Sequence, residues 1–171
     1  MSAQPLRVGI IGCGLIGRKR ANSLGTGGHL EACTDLDSGK TEKLAGDHCC
    51  EAVMDWKILL ERKNLDLVIV ATLHDSLAEI TQAAIESDKH VLVEKPAART
   101  TSELRSVIEA QQKHGVKVRV GFNHRYHRSL RKAKELVNLG VLGELMFIRG
   151  RYGHGGRVGY DREWRAQPDQ S

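Results

Sequence analysis

The stretch Arg7-Val8-Gly9-Ile10-Ile11-Gly12-Cys13-Gly14-Leu15-Ile16-Gly17 decides how the rest of this chain is read. A short apolar run leads into glycines spaced G-x-G-x-x-G, and Arg18-Lys19-Arg20-Ala21 continue in helix-forming residues. The order is strand, tight turn, helix. A diphosphate is bound by backbone N–H donors that no side chain obstructs, at the positive end of a helix dipole, and this geometry supplies both. Gly12 is expected to make the turn, Gly14 to let the backbone approach a pyrophosphate, and Gly17 to let the helix lie close on the strand.

Glycine spacing alone is a weak signal, and its surroundings strengthen it. Leu30-Glu31-Ala32-Cys33-Thr34-Asp35 is a second candidate strand ending in an acid, about 20 residues past the turn, where a carboxylate accepts both ribose hydroxyls of a dinucleotide. Asp35 also favours NAD over NADP, because a carboxylate repels a 2′-phosphate. Leu36 follows where an NADP site favours a basic or hydroxyl side chain, although nearby Lys40 keeps NADP open as the alternative.

At 171 residues, 40% hydrophobic and 27% charged, the chain has globular composition and the length of one full domain. The net charge of +5 comes with basic residues gathered late, from Arg119 to Arg165. No zinc-ligand spacing, aromatic RNA-binding run or basic heptad accompanies them, so nucleic acid is not expected as a partner. Cys13, Cys33, Cys49 and Cys50 lack metal-ligand spacing and read as free thiols, with no metal site expected. No signal-peptide core or membrane-length apolar run is seen, and the expectation is a cytoplasmic protein that does not meet a membrane.

Apolar periodicity fills in the rest. Helices are expected over 15–24 and 38–46, with a further one capped by Asp55 and running to about Arg62 with Trp56, Leu59 and Leu60 on one face. Asp66 to Thr72 reads as a strand covered on both faces. Thr72, Leu73, His74 and Asp75 then fall beyond its carboxyl end, where ligands of such sheets lie. A helix is expected over 76–87, with Leu77, Ile80, Ala84 and Ile85 inward, and His90 to Glu94 is the next strand. Pro96 ends it and biases Lys95 toward an extended conformation at the mouth of the same crevice. Thr100 and Glu103 form a capping box for a helix to about His114, and Lys117 to Phe122 is a further strand. Alternating strands and helices imply an α/β Rossmann fold, a doubly wound parallel sheet. Past Phe122 a helix over 129–139 and a long strand over 143–152 read as the start of a second α/β layer, incomplete within the chain, giving a division into 1–122 and 123–171.

Gly12-Cys-Gly14-Leu-Ile-Gly17, Asp35, Thr72, Glu94-Lys95-Pro96, Gly121-Phe-Asn-His-Arg-Tyr126 and Gly143-Glu-Leu together closely resemble the Gfo/Idh/MocA family of NAD(P)-dependent oxidoreductases, glucose-fructose oxidoreductase and inositol dehydrogenase among them. The resemblance covers nearly all of the chain, and Glu-Lys-Pro after a strand is its most specific part. It implies hydride transfer between nicotinamide and a sugar or polyol carbon. Gly12, Gly14, Leu15, Ile16 and Gly17 would hold the pyrophosphate, Asp35 and Leu36 would meet the adenosine ribose, and Thr72, Leu73 and His74 the nicotinamide side. Glu94 and Lys95 would sit at the nicotinamide ribose, Lys95 reaching the reacting hydroxyl as base. Asn123, Arg125 and Tyr126 would line the substrate crevice, and Trp164-Arg165 resembles a pair that touches cofactor in some members. A homo-oligomer of the full-length form is implied.

Two departures stand out. Leu73 and Leu77 occupy places where many members carry proline and histidine, and no histidine here matches the family's acid/base partner of the lysine. The expectation is therefore an amino-terminal, dinucleotide-binding part that does not turn over alone. A stand-alone NAD(P)-binding regulatory or partner-binding module is the alternative.

Overall fold

The computed structural model describes residues 4–153, 158, 159 and 162. Two compact units divide between Gly121 and Phe122.

The first unit alternates β1 (Leu6–Ile11), α1 (Leu15–Ala21), β2 (Gly28–Thr34), α2 (Ser38–His48), β3 (Glu51–Ala52), α3 (Trp56–Leu60), β4 (Leu67–Val70), α4 (His74–Glu86), β5 (His90–Val93), α5 (Thr101–His114) and β6 (Val118–Val120). All five strand pairings are parallel, in the order β3-β2-β1-β4-β5-β6. The expected doubly wound sheet is present. Its order reverses between β1 and β4, and ligands of such sheets bind at that point, beyond the carboxyl ends of the strands.

Side-chain alternation sorts the core onto two faces. Val68 and Val70 join Leu59, Leu77, Ile80 and Val107 in one cluster, while Ile69 joins Val8, Ile10, Ala21, Leu44 and Ala45 in the other. In β2 the register jumps, with Val8 opposite Leu30 and Gly9 opposite Ala32, so Glu31 is an extra residue. A slip of one residue exchanges faces. Cys33 consequently shares the α2 face with Leu30, although they are three apart.

The helix ends follow local chemistry. Asp37 accepts from the Lys40 N–H at 3.2 Å and Asp55 from the Lys57 N–H at 2.9 Å. Thr100 Oγ1 accepts from the Glu103 N–H at 3.1 Å, as the capping box requires. Glu103 reaches back one residue further than expected, accepting from the Arg99 N–H at 2.9 Å. α1 stops at Ala21, short of the expected Leu24, and a 3-10 turn at Gly25–Gly27 follows. α2 runs past Gly46 and is ended by Cys49 in the left-handed region at φ 52°. α4 begins at His74, two residues before the expected start, so His74 and Asp75 belong to its first turn rather than to a loop.

The second unit contains a 3-10 turn, Asn123–Tyr126, and α6 (Arg128–Asn138). The expected strand over 143–152 is not formed among the described residues. Met146, Phe147 and Ile148 there are 92%, 80% and 84% exposed. A strand exists only with a ladder partner, and apolar character alone does not make one.

Candidate functional site

At the carboxyl edge of the sheet the β1–α1 turn packs against the end of β4. Gly12 has φ +100°, and a Cβ there would lie 2.5 Å from the Ala71 carbonyl oxygen, so both conformation and contact require glycine. A Cβ on Gly17 would fall 1.8 Å from the Gly12 carbonyl oxygen, which lets α1 lie directly on the turn. Around Gly14 a Cβ would meet nothing within 4 Å. That glycine keeps a surface open, whereas the other two allow packing. Leu15, which begins α1, is 59% exposed, and Ile16 follows it in the first turn.

Asp35, just past β2, is tied to the same turn. Its Oδ2 accepts from the Cys13 N–H at 2.7 Å and its Oδ1 from the Asp37 N–H at 3.0 Å. Leu36 beside it is fully exposed, and Lys40 pairs with Asp37 at 3.0 Å. That carboxylate is the largest cause holding the Lys40 ammonium above its ordinary range, with Asp35 adding to it. Thr72 and Leu73 bridge β4 to α4, and Thr72 Oγ1 donates to the Leu73 carbonyl at 3.4 Å.

After β5 the chain turns sharply, with the Ala97 N–H donating to the Glu94 carbonyl at 3.0 Å across a cis Lys95–Pro96 bond. Glu94 is 9% exposed, and Lys95 beside it is exposed. The Glu94 carboxylate accepts from Arg20 Nε at 2.7 Å and from the Arg20 guanidinium terminus. Gly121 leaves room for this pair, since a Cβ would come 3.0 Å from the guanidinium and 3.1 Å from the carboxylate. No sequence pattern marks Arg20 as a site residue. A salt bridge spanning 74 residues leaves no local pattern to read.

The first unit therefore gathers Gly12, Gly14, Leu15, Ile16, Gly17, Asp35, Leu36, Thr72, Leu73, His74, Glu94 and Lys95 at one edge. Asn123, Arg125 and Tyr126 form the 3-10 turn of the second unit, where the Arg125 guanidinium lies 5.5 Å from the Phe122 ring centre and Tyr126 is 61% exposed. Trp164 and Arg165 lie outside the described residues. Among the described residues no cluster of His, Cys, Asp or Glu could hold a metal, and no helix is long and apolar enough to cross a membrane.

Residues 6–122 match the Gfo/Idh/MocA model, described as an oxidoreductase family with an NAD-binding Rossmann fold. The chain belongs to that family. Inositol 2-dehydrogenase from Salmonella typhimurium is 31% identical over 154 residues, which cover 86% of this chain and 46% of that protein. The crystal structure of myo-inositol 2-dehydrogenase from Lactobacillus plantarum superposes with a TM-score of 0.75 at 27% identity, over 82% of this chain and 43% of that one. A 3-ketoreductase from Actinomadura kijaniata, solved with NADP, superposes with a TM-score of 0.73 at 26% identity, over 82% of this chain and 44% of that one. The chain thus spans less than half the length of these relatives.

Proposed function

We propose that the chain is the dinucleotide-binding half of a dehydrogenase that oxidises a hydroxyl of a sugar or polyol, with NAD the preferred cofactor. The observation that carries this is the Asp35–Cys13 hydrogen bond, which fixes a ribose-type carboxylate to a glycine turn left open at Gly14. In this reading the backbone N–H groups of Gly14, Leu15, Ile16 and Gly17, with Gly12 shaping the turn, hold the pyrophosphate. Asp35 accepts the adenosine ribose hydroxyls beside Leu36. Thr72, Leu73 and His74 border the nicotinamide side. When bound, the cofactor supplies the hydride acceptor. Lys95 Nζ takes the hydroxyl proton as hydride leaves the substrate carbon. Glu94, held by Arg20, fixes the start of the turn that presents Lys95. Asn123, Arg125 and Tyr126 orient the substrate. Residues 1–122 form the cofactor domain and 123–171 begin the substrate domain, and the 171-residue chain binds dinucleotide without turnover.

The preference for NAD follows from charge. A 2′-phosphate would meet the Asp35 carboxylate, and the ammonium of Lys40, which feels that carboxylate, already faces Asp37. Titration of NADH and NADPH into the purified chain, followed by calorimetry or fluorescence, tests the proposal. NADH is expected to bind at least about tenfold more tightly, and absence of binding by either dinucleotide refutes the function.

A further inference from the structure

We propose that Cys33 and Cys50 are a redox-responsive thiol pair that closes to an intramolecular disulfide and, in closing, disturbs the end of β2 that carries Asp35. Their Sγ atoms stand 3.8 Å apart. Cys33 is completely buried, turned onto the α2 face by the extra residue in β2. Cys50 is partly exposed and is fastened to the end of α2 by its N–H, which donates to the Ala45 carbonyl at 3.1 Å. Metal-ligand spacing or adjacency in sequence does not reveal this pair, because α2 separates its members.

Closure to a bond of about 2 Å needs an approach of nearly the same size. A close-packed interior passes such a shift to the backbone. Cys33 stands two residues before Asp35, whose Oδ2 holds the Cys13 N–H at 2.7 Å, and Cys13 Sγ in turn donates to the Thr34 carbonyl at 3.3 Å. The glycine turn and the thiol pair therefore share one stretch of chain.

The reaction is exchange with a low-molecular-weight disulfide. Cys50, as thiolate, attacks one of its sulfurs. The external S–S bond breaks, and the departing thiolate takes up the proton that Cys50 lost. Cys33, as thiolate, then displaces the second external sulfur, which receives the proton of Cys33. Two protein thiols are oxidised, and one external disulfide is reduced to two thiols. Contact with the Cys13 thiol, followed by burial, pushes Cys33 up to about 12 against an opposing effect of Cys50, and contact with Cys33 together with burial raises Cys50 as well. Thiolate is scarce at neutral pH, so the pair stays reduced under brief exposure and closes under a sustained oxidising poise.

The test treats the purified chain with oxidised glutathione at about pH 8.5, then combines non-reducing peptide mapping by mass spectrometry with amide hydrogen exchange. A Cys33–Cys50 cross-linked peptide that dithiothreitol removes is expected, with buried Cys13 left as a free thiol. The Cys49→Ser variant should keep the cross-link and Cys50→Ser should lose it. The Cys13 amide should exchange about tenfold faster in the oxidised chain. Glutathione held on exposed Cys49 with Cys33 and Cys50 still free overturns the proposal, as does a cross-link that leaves Cys13 exchange unchanged. Weaker NADH binding by the oxidised chain is also expected, and this consequence rests on the function proposed above. If the reduced chain binds no NADH, that function fails, while the mapping and exchange results still decide the thiol pair.

Discussion

The Arg20 guanidinium lies against the Glu94 carboxylate, joining α1 to the residue that follows β5. Their side chains are 22% and 11% exposed, so water screens the pair little. Removing one partner of a shielded ion pair costs more than the pair contributes, because the remaining charge stays desolvated. Arg20→Ala and Glu94→Ala are each expected to lower unfolding free energy by about 2 kcal/mol, with the double variant well short of the sum. Urea denaturation of the four proteins checks this, and strictly additive losses would show that the contact carries no coupling.

Gly14 and Gly17 belong to one motif but should respond differently, one in binding and the other in stability. A methyl on Gly17 overlaps the Gly12 carbonyl, whereas one on Gly14 meets open space. Gly17→Ala is expected to destabilise by about 3 kcal/mol, and Gly14→Ala by less than about 1 kcal/mol while weakening NADH binding about tenfold. Thermal melts with and without NADH separate the two effects. A Gly14→Ala chain that bound NADH normally would remove the pyrophosphate role from that residue.

Local patterns were the legible part of this fold. The Thr100 cap, the Asp55 cap and the apolar faces of β4 and α4 each depend on neighbours within a few residues, so spacing alone located them. β3 escaped because its two residues, Glu51 and Ala52, are exposed and show no alternation. α4 starts two residues before the expected position because its cap residue, Leu73, makes no side-chain hydrogen bond that a capping pattern could announce. The run over 143–152 has the apolar character of a strand, but a ladder depends on a partner elsewhere in the chain. The same limit hid Arg20 from Glu94 and Cys33 from Cys50, pairs created by topology.

At the opposite edge of the sheet, Asp66 carries the clearest acid-dependent contact. Its Oδ2 accepts from the Arg7 N–H at 2.8 Å and from Arg7 Nε at 3.0 Å, and its Oδ1 accepts from the guanidinium terminus at 2.7 Å. The Arg7 side chain, and then its backbone N–H, lower the Asp66 carboxyl to about 2. The folded value lies below the unfolded one of about 3.9, so the stabilisation is complete above about pH 4 and is lost as pH falls through about 2. Carboxyl titration by NMR should place Asp66 near 2, and Asp66→Asn should flatten the acid limb of the stability curve between those values. A midpoint near 4 would show the contact to be absent in solution.

Cofactor choice turns on Asp35, which has a structural duty as well as the proposed binding one. Because its Oδ2 accepts the Cys13 N–H, Asp35→Ala would remove the support of the glycine turn together with the ribose acceptor. Asp35→Asn retains a carbonyl oxygen for that N–H, removes the charge, and gives up only the acceptor that Oδ1 offers the exposed Asp37 N–H. The variant should fold with a melting temperature near that of the parent, bind NADH less tightly, and narrow the preference over NADPH about tenfold, because a 2′-phosphate no longer faces a carboxylate. Lys40, which faces Asp37 at 3.0 Å and feels the charge of Asp35, is then a cation open to such a phosphate, so adding Lys40→Ala should cancel the gain for NADPH without affecting NADH. Parallel titrations of both dinucleotides into the parent, Asp35→Asn and the double variant measure these differences. An unchanged NADH-to-NADPH ratio in Asp35→Asn would show that this carboxylate does not face the ribose.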